Sequence, residues 1–210
     1  TINVTDSTTS SVSISWNKID GVTGYQIQTQ DANGNWVDYT YTGETNVTFS
    51  NLQSAYRFPL RIRSYTQNGK NIKWGNFFQI NVATKPSKVS GVKLSSSDTS
   101  VTVKWNKVSR ASGYRIYVYN SSKKSYEFNK SVSNASTVST KLTGLKPNKT
   151  YKIKVAAYKT ADNIKFVGSK SSEASIKTKN KAVTLSSAKS SKKKKISVKW
   201  KKVSGVSGYE

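Results

Sequence analysis

The chain has 210 residues, 35 basic against 10 acidic, a net charge of +25, and no Cys, His or Met. Those absences remove thiolate nucleophiles, disulfides, Cys/His metal and haem ligation, and every Ser-His-Asp or Cys-His device. No run approaches 18 apolar residues, so no segment reads as a membrane span. A hydrophobic content of 34% with 11% aromatic argues for folded cores rather than disorder. Starting at Thr1, without Met or a signal sequence, the chain reads as a piece of a longer polypeptide.

In chain order, Val12-Ser13-Ile14-Ser15-Trp16 alternates with period two and predicts a half-buried strand, and Tyr25-Gln26-Ile27-Gln28-Thr29 predicts the next. Asn33-Gly34 and Asn68-Gly69 read as type I′ hairpin turns. Between them, Tyr56-Arg57-Phe58-Pro59-Leu60-Arg61-Ile62 reads as a strand in which Pro59 should force a bulge or a local break. The pattern then restarts. Val101-Thr102-Val103-Lys104-Trp105, Tyr114-Arg115-Ile116-Tyr117-Val118 and Tyr151-Lys152-Ile153-Lys154-Val155 repeat the alternation, and Ile196-Ser197-Val198-Lys199-Trp200 opens it a third time.

In each repeat a Gly-Tyr pair follows the Trp, with the Tyr nine residues on: Trp16 and Tyr25, Trp105 and Tyr114, Trp200 and Tyr209. A period near 90 residues is that of a whole small domain rather than a solenoid unit. The expected organisation is a first domain over 1–84, a linker over 85–88, a second domain over 89–179, and over 180–210 the start of a third. The short linkers should leave neighbours end to end with restricted swing. Residues 182–210 cannot bury two sheets, so that segment should be poorly ordered or dock on domain two. Many short strands without helical periodicity predict an all-β chain of two-sheet antiparallel sandwiches.

An early-strand Trp, the Gly-Tyr nine residues later, and Leu145-Lys146-Pro147-Asn148-Lys149-Thr150-Tyr151 together resemble the fibronectin type III domain, an immunoglobulin-like sandwich. The Leu-x-Pro-x-x-x-Tyr stretch resembles that family's tyrosine corner. The resemblance implies core positions for Trp16, Tyr25, Tyr56, Trp105, Tyr114, Leu145, Tyr151 and Trp200, with Phe49, Leu52 and Phe58 beside them. Leu52-Gln53-Ser54-Ala55-Tyr56 is two residues shorter and lacks the Pro, so the first corner should be altered. Val155-Ala156-Ala157-Tyr158 followed by Ile164-Lys165-Phe166-Val167-Gly168 resembles repeats on secreted and surface proteins of low-GC Gram-positive bacteria.

Charge is uneven. Residues 1–84 hold six basic and five acidic residues, net +1; residues 85–179 reach +16 and residues 180–210 reach +8. Such a field attracts polyanions and is screened by salt. The cations are 30 Lys and five Arg, which argues against base-edge recognition of nucleic acid and leaves cell-wall polyanion binding or plain solubility. Lys123, Lys124, Lys192, Lys193, Lys194 and Lys195 are the candidate polyanion-binding residues, the last four also reading as a charged hairpin loop that guards a strand edge.

The first domain holds 12 of the 23 aromatic residues. Trp36, Tyr39, Tyr41 and Trp74 exceed the needs of a core and are candidates for stacking on glycan rings, against a plainer reading as cross-strand pairs. Tyr39 and Tyr41, two apart, should share one sheet face. Asp31-Ala32-Asn33-Gly34-Asn35 resembles a Ca loop only superficially, since Gly is fourth and the twelfth position is Thr42. The acids are scattered and form no catalytic pair, so no catalytic residue, metal or cofactor is expected. The resulting expectation is a non-catalytic extracellular spacer and interaction segment within a larger bacterial surface protein or secreted enzyme. The alternatives are a cell-wall polyanion (teichoic acid or polysaccharide) or glycan binding module, or accessory modules of an extracellular hydrolase whose catalytic domain lies elsewhere.

Overall fold

The structure is a computed structural model that describes residues 1–192 and 194–210. Every regular element among the described residues is a β-strand. The first domain contains β1 (Ile2–Ser7), β2 (Val12–Trp16), β3 (Gly24–Gln30), β4 (Trp36–Thr42), β5 (Asn46–Phe49), β6 (Arg57–Asn68), β7 (Asn71–Trp74) and β8 (Phe78–Ala83). One sheet runs β1-β2-β5; the other runs β4-β3-β6-β7, with β8 beside β6. The second domain repeats this with β9 (Lys93–Ser96), β10 (Val101–Lys104), β11 (Gly113–Asn120), β12 (Ser125–Val132), β13 (Ser139–Leu142), β14 (Thr150–Ala161), β15 (Ile164–Val167) and β16 (Ala174–Lys177). Its sheets are β9-β10-β13 and β12-β11-β14-β15, with β16 beside β14.

Alternation builds each core. Val12, Ile14 and Trp16 point inward from β2 against Ile27 from β3 and Phe58, Leu60 and Ile62 from β6. Val101, Val103 and Trp105 do the same against Ile116, Ile153 and Val155. The residues between them face out, which is the period-two signature of a sandwich strand.

The Trp and Tyr of each repeat meet edge to face or tilted, with ring centroids 5.3, 5.1 and 5.3 Å apart in the three repeats. Each Tyr hydroxyl then accepts a backbone N–H from the loop between the Trp and Tyr strands: Ile19 at 2.8 Å, Val108 at 3.0 Å and Val203 at 2.7 Å. In the two complete domains the Gly before the Tyr is required by close approach. A Cβ on Gly24 would lie 2.8 Å from the Thr42 carbonyl oxygen, and one on Gly113 would lie 2.3 Å from that of Val132.

Several expectations are corrected. β6 runs through Pro59 without a bulge. Asn81, opposite Pro59, turns its N–H away from β6, so the pair is not a hydrogen-bonding one and the missing proline N–H removes nothing from the β6–β8 ladder. The hairpin turns form, but only Gly34 and Gly69 have positive φ, whereas a type I′ turn needs two such residues. Tyr56 is not a core residue: it is 39% exposed and stacked on Phe58. The first corner is not shortened either: Phe58 occupies the place of Tyr151, and Thr84, whose hydroxyl accepts the Tyr56 N–H and donates to the Gln53 carbonyl, does there what Thr178 does in domain two with Lys149 and Lys146. In domain two the tyrosine corner is intact, with Lys146 N–H donating to the Tyr151 hydroxyl at 2.9 Å, and Leu145 and Tyr151 are half-buried.

The third repeat supplies β17 (Leu185–Lys192) and β18 (Lys195–Trp200), paired only with each other. Trp200, also expected in a core, is 43% exposed because no second sheet among the described residues covers it. The repeat touches domain two where the Asn148 side-chain amide donates to the Gly205 carbonyl.

Candidate interaction surfaces

The outer face of the β4-β3-β6 sheet of domain one carries a ladder of alternating rings and guanidinium groups. Arg61 Cζ lies 4.4 Å from the Trp36 centroid and 3.9 Å from that of Phe77. Arg63 Cζ lies 4.4 Å from Phe77 and 3.8 Å from Trp74. Residues two apart on β6 face the same way, so the two arginines interleave with rings from β4, from β7 and from the β7–β8 connection.

A polar layer fixes the arginines from the β3 side. Arg61 Nε donates to Gln28 Oε1 at 2.7 Å, and Arg63 Nε to Gln26 Oε1 at 2.6 Å. The two glutamine amides both donate to Asp38 Oδ1, at 2.8 and 2.6 Å, and Tyr41 OH donates to Asp38 Oδ2 at 2.9 Å. These bonds, the one from Gln28 first, hold the Asp38 carboxyl below its ordinary range against the opposing effect of burial. Burial, and then the bond to Asp38, push the Tyr41 phenol up. Burial also lowers Arg61, with the neighbouring Arg63 charge adding to it.

Of the four candidate glycan-stacking residues, three lie on this outer face and one does not. Trp36 and Trp74 sit at opposite ends of the ladder, each with a guanidinium on one ring face. Tyr41 packs near Tyr65 and Trp74. Tyr39 does not share its face. A bulge opposite Ile27 and Gln28 turns Tyr39 toward the other sheet, where its ring lies 4.4 Å from Phe49 and its hydroxyl donates to the Thr48 carbonyl. Asp31 closes the β3–β4 loop by accepting the N–H groups of Asn33 and Asn35, and these bonds, led by that from Asn35, lower its carboxyl.

On domain two the equivalent face is built differently. A bulge at the matching place, opposite Ile116 and Tyr117, leaves Tyr117, Tyr119, Tyr126 and Phe128 outward. Each ring carries a cation: Lys170 Nζ 4.7 Å from Tyr117, Lys152 5.5 Å from Tyr119, Lys154 4.5 Å from Tyr126, and Arg115 Cζ 5.6 Å from Phe128. Glu173 is the acid of this face. It accepts from the Tyr126 hydroxyl and pairs with Lys152 at 3.2 Å, and these contacts hold its carboxyl down while burial and Glu173 raise Tyr126.

The lysines singled out by sequence lie apart from this face. Lys123, in the β11–β12 turn, pairs with Glu127 at 2.6 Å, which raises its ammonium and lowers the carboxyl. Lys124 takes the left-handed conformation beside it. Lys192, Lys194 and Lys195 are exposed at the β17–β18 turn, as the charged-loop reading expects, and Lys193 lies outside the described residues. Among the described residues no cluster of three His, Cys, Asp or Glu could hold a metal, and no helix is long and apolar enough to cross a membrane.

A third surface joins the domains. The β14–β15 hairpin of domain two reaches into domain one, where Ala161 and Phe166 are buried in the domain-one core cluster. At its tip Asp162, in the left-handed conformation, accepts the Asn81 backbone N–H and side-chain amide, both at 2.9 Å. Those bonds, more than the Arg57 guanidinium 3.9 Å away, keep the Asp162 carboxyl low. The linker is tied down too: Lys85 N–H donates to the Thr8 carbonyl at 2.7 Å, and its carbonyl accepts from Ala55. Arg110 reaches Gln53 across the same junction. The second linker repeats these bonds, Lys179 to Ser97 and Asn148 to Lys179.

The fold and its repeated Trp-Tyr box define tandem immunoglobulin-like sandwiches. The family model for the fibronectin type III domain matches residues 1–81 and again 85–167. The chain belongs to the fibronectin type III family, whose members are typically non-catalytic interaction and spacer modules. Similar solved structures include a two-domain fibronectin type III segment of chicken tenascin, with 18% identity and a TM-score of 0.45, covering 85% of this chain and 98% of that one. Another is the chicken CNTN1 FN1-FN3 segment, with 19% identity and a TM-score of 0.49, covering 85% and 66%.

Proposed function

We propose that the chain is a non-catalytic extracellular spacer whose first two modules are held at a fixed angle within a larger bacterial surface protein or secreted enzyme. The carrying observation is the docked β14–β15 hairpin, with Phe166 and Ala161 buried in domain one and Asp162 bound twice to Asn81. A linker alone limits reach; a buried ring and a two-point hydrogen bond limit orientation as well. Residual dipolar couplings on the full chain test this. Domains one and two of the wild type should share one alignment tensor, and Asp162→Ala/Phe166→Ala should separate the tensors. Separate tensors in the wild type would contradict the reading.

A second reading, binding of cell-wall polyanion, is favoured by the charge skew, which puts +16 on residues 85–179 against +1 on residues 1–84. The two readings are compatible, since a rigid stalk can carry a binding face.

A further inference from the structure

We propose that the outer face of the β12-β11-β14 sheet in domain two binds a linear polyanion, with Lys152, Lys154 and Lys170 as the anion-binding groups and Tyr117, Tyr119 and Tyr126 as the rings that position them. The proposal rests on the polyanion reading above and gives it a site.

What holds each cation decides whether its charge is still available. A carboxylate partner neutralises an ammonium, as Glu127 does for Lys123. A ring face attracts the cation through its quadrupole but leaves its charge in place. Lys154 and Lys170 lie over rings and have no carboxylate partner among the described residues. Lys152 shares Glu173 with the Tyr126 hydroxyl, so this single acid is doubly engaged. With Arg115, the face sets four cations against one acid.

Spacing sets the ligand class. Lys152 and Lys154 are two residues apart on β14, so their stems leave the sheet about 7 Å apart along the strand. Lys170 enters from the connection after β15 and extends the array across the sheet. Rows of this kind match a chain carrying one anionic group per repeat unit, a phosphodiester or a uronate, better than a compact anion. Because the rings are engaged with cations, attraction to the anionic groups is the driving term and a neutral glycan should bind poorly. Lysine heads, as point charges, accept either anion without the planar selectivity of arginine.

The test is calorimetric titration of the full chain at low salt with poly(glycerol phosphate) and, separately, polygalacturonate. Wild type is compared with Lys152→Ala/Lys154→Ala/Lys170→Ala and with Lys123→Ala/Lys124→Ala, amide spectra confirming that each is folded. The account expects the triple variant to lose about tenfold or more in affinity, the turn variant to lose little, and high salt to abolish binding. The polymer that binds tells phosphodiester from carboxylate as the source of the anion. Equal losses in both variants would overturn this site while leaving polyanion binding intact. No binding of either polymer would overturn both, and tighter binding of a single-stranded DNA oligomer would overturn the ligand class.

Discussion

The outer faces of domains one and two occupy the same place in the same fold, yet one is closed and the other open. On domain one the cations are Arg61 and Arg63, each sandwiched between rings and pinned through Nε by a glutamine that Asp38 holds in turn. On domain two Lys154 stands where Arg61 stands and Ala156 where Arg63 stands, while Arg115 and Tyr117 replace Gln26 and Gln28. Lys170 takes the place of Phe77 beside the last strand. A planar guanidinium clamped between two rings and pinned through Nε is a structural element, whereas an ammonium resting on one ring is held by nothing more among the described residues. The same scaffold thus supports a lock and a receptive surface through a handful of exchanged side chains.

The largest effect should come from opening the lock. Arg63→Ala removes a cation from between Trp74 and Phe77 and takes the guanidinium from Gln26, a side chain only 3% exposed. It should cost domain one about 2–3 kcal/mol. Denaturant unfolding followed by Trp fluorescence measures this. Arg63→Lys should recover little, because lysine lacks the planar fork.

A smaller effect is pH-dependent. The Asp38 carboxyl is held below its ordinary value in the folded domain, so its stabilisation is fully present above the ordinary carboxylate range and is lost as pH falls through the folded value. Domain one should weaken in acid, and Asp38→Asn should flatten that dependence, as thermal melts across the acid range would show. The junction responds with the same sign. The Asp162 carboxyl is also held low, so acid should loosen the hairpin from Asn81 before either sandwich melts, visible as diverging alignment of the two domains. The smallest effect is on the open face: Lys154→Ala should change stability by less than about 0.5 kcal/mol, because the side chain only lies over an outward ring.

Much of the sandwich was legible from spacing alone. Period-two alternation exposed strands such as β2, β10 and β14, and the Trp and Gly-Tyr nine residues apart located the box that each repeat rebuilds. Phe49 falls in the core and Leu52 packs against it, as expected. What escaped was register. Arg61 and Arg63 are visibly two apart, but that Trp36, Phe77 and Trp74 interleave with them depends on which strands adjoin. Tyr39 and Tyr41 part because of a bulge that period-two reading cannot see. Nothing in the stretch from Ile164 to Gly168 marks Phe166 as a contact to the other domain; its burial there follows from how the hairpin projects. Lys runs drew the eye to the turns, while the ordered cations come one at a time from β14 and from beyond β15.

The most direct test follows the two domains separately in one chain by temperature-dependent amide spectra, comparing Arg61→Ala/Arg63→Ala with Lys152→Ala/Lys154→Ala. The account predicts that the arginine pair lowers the melting of domain one and leaves domain two in place, whereas the lysine pair shifts neither transition appreciably. An unchanged domain one in the arginine variant, or a domain two that melts early without its lysines, would contradict the division into a locked face and an open one.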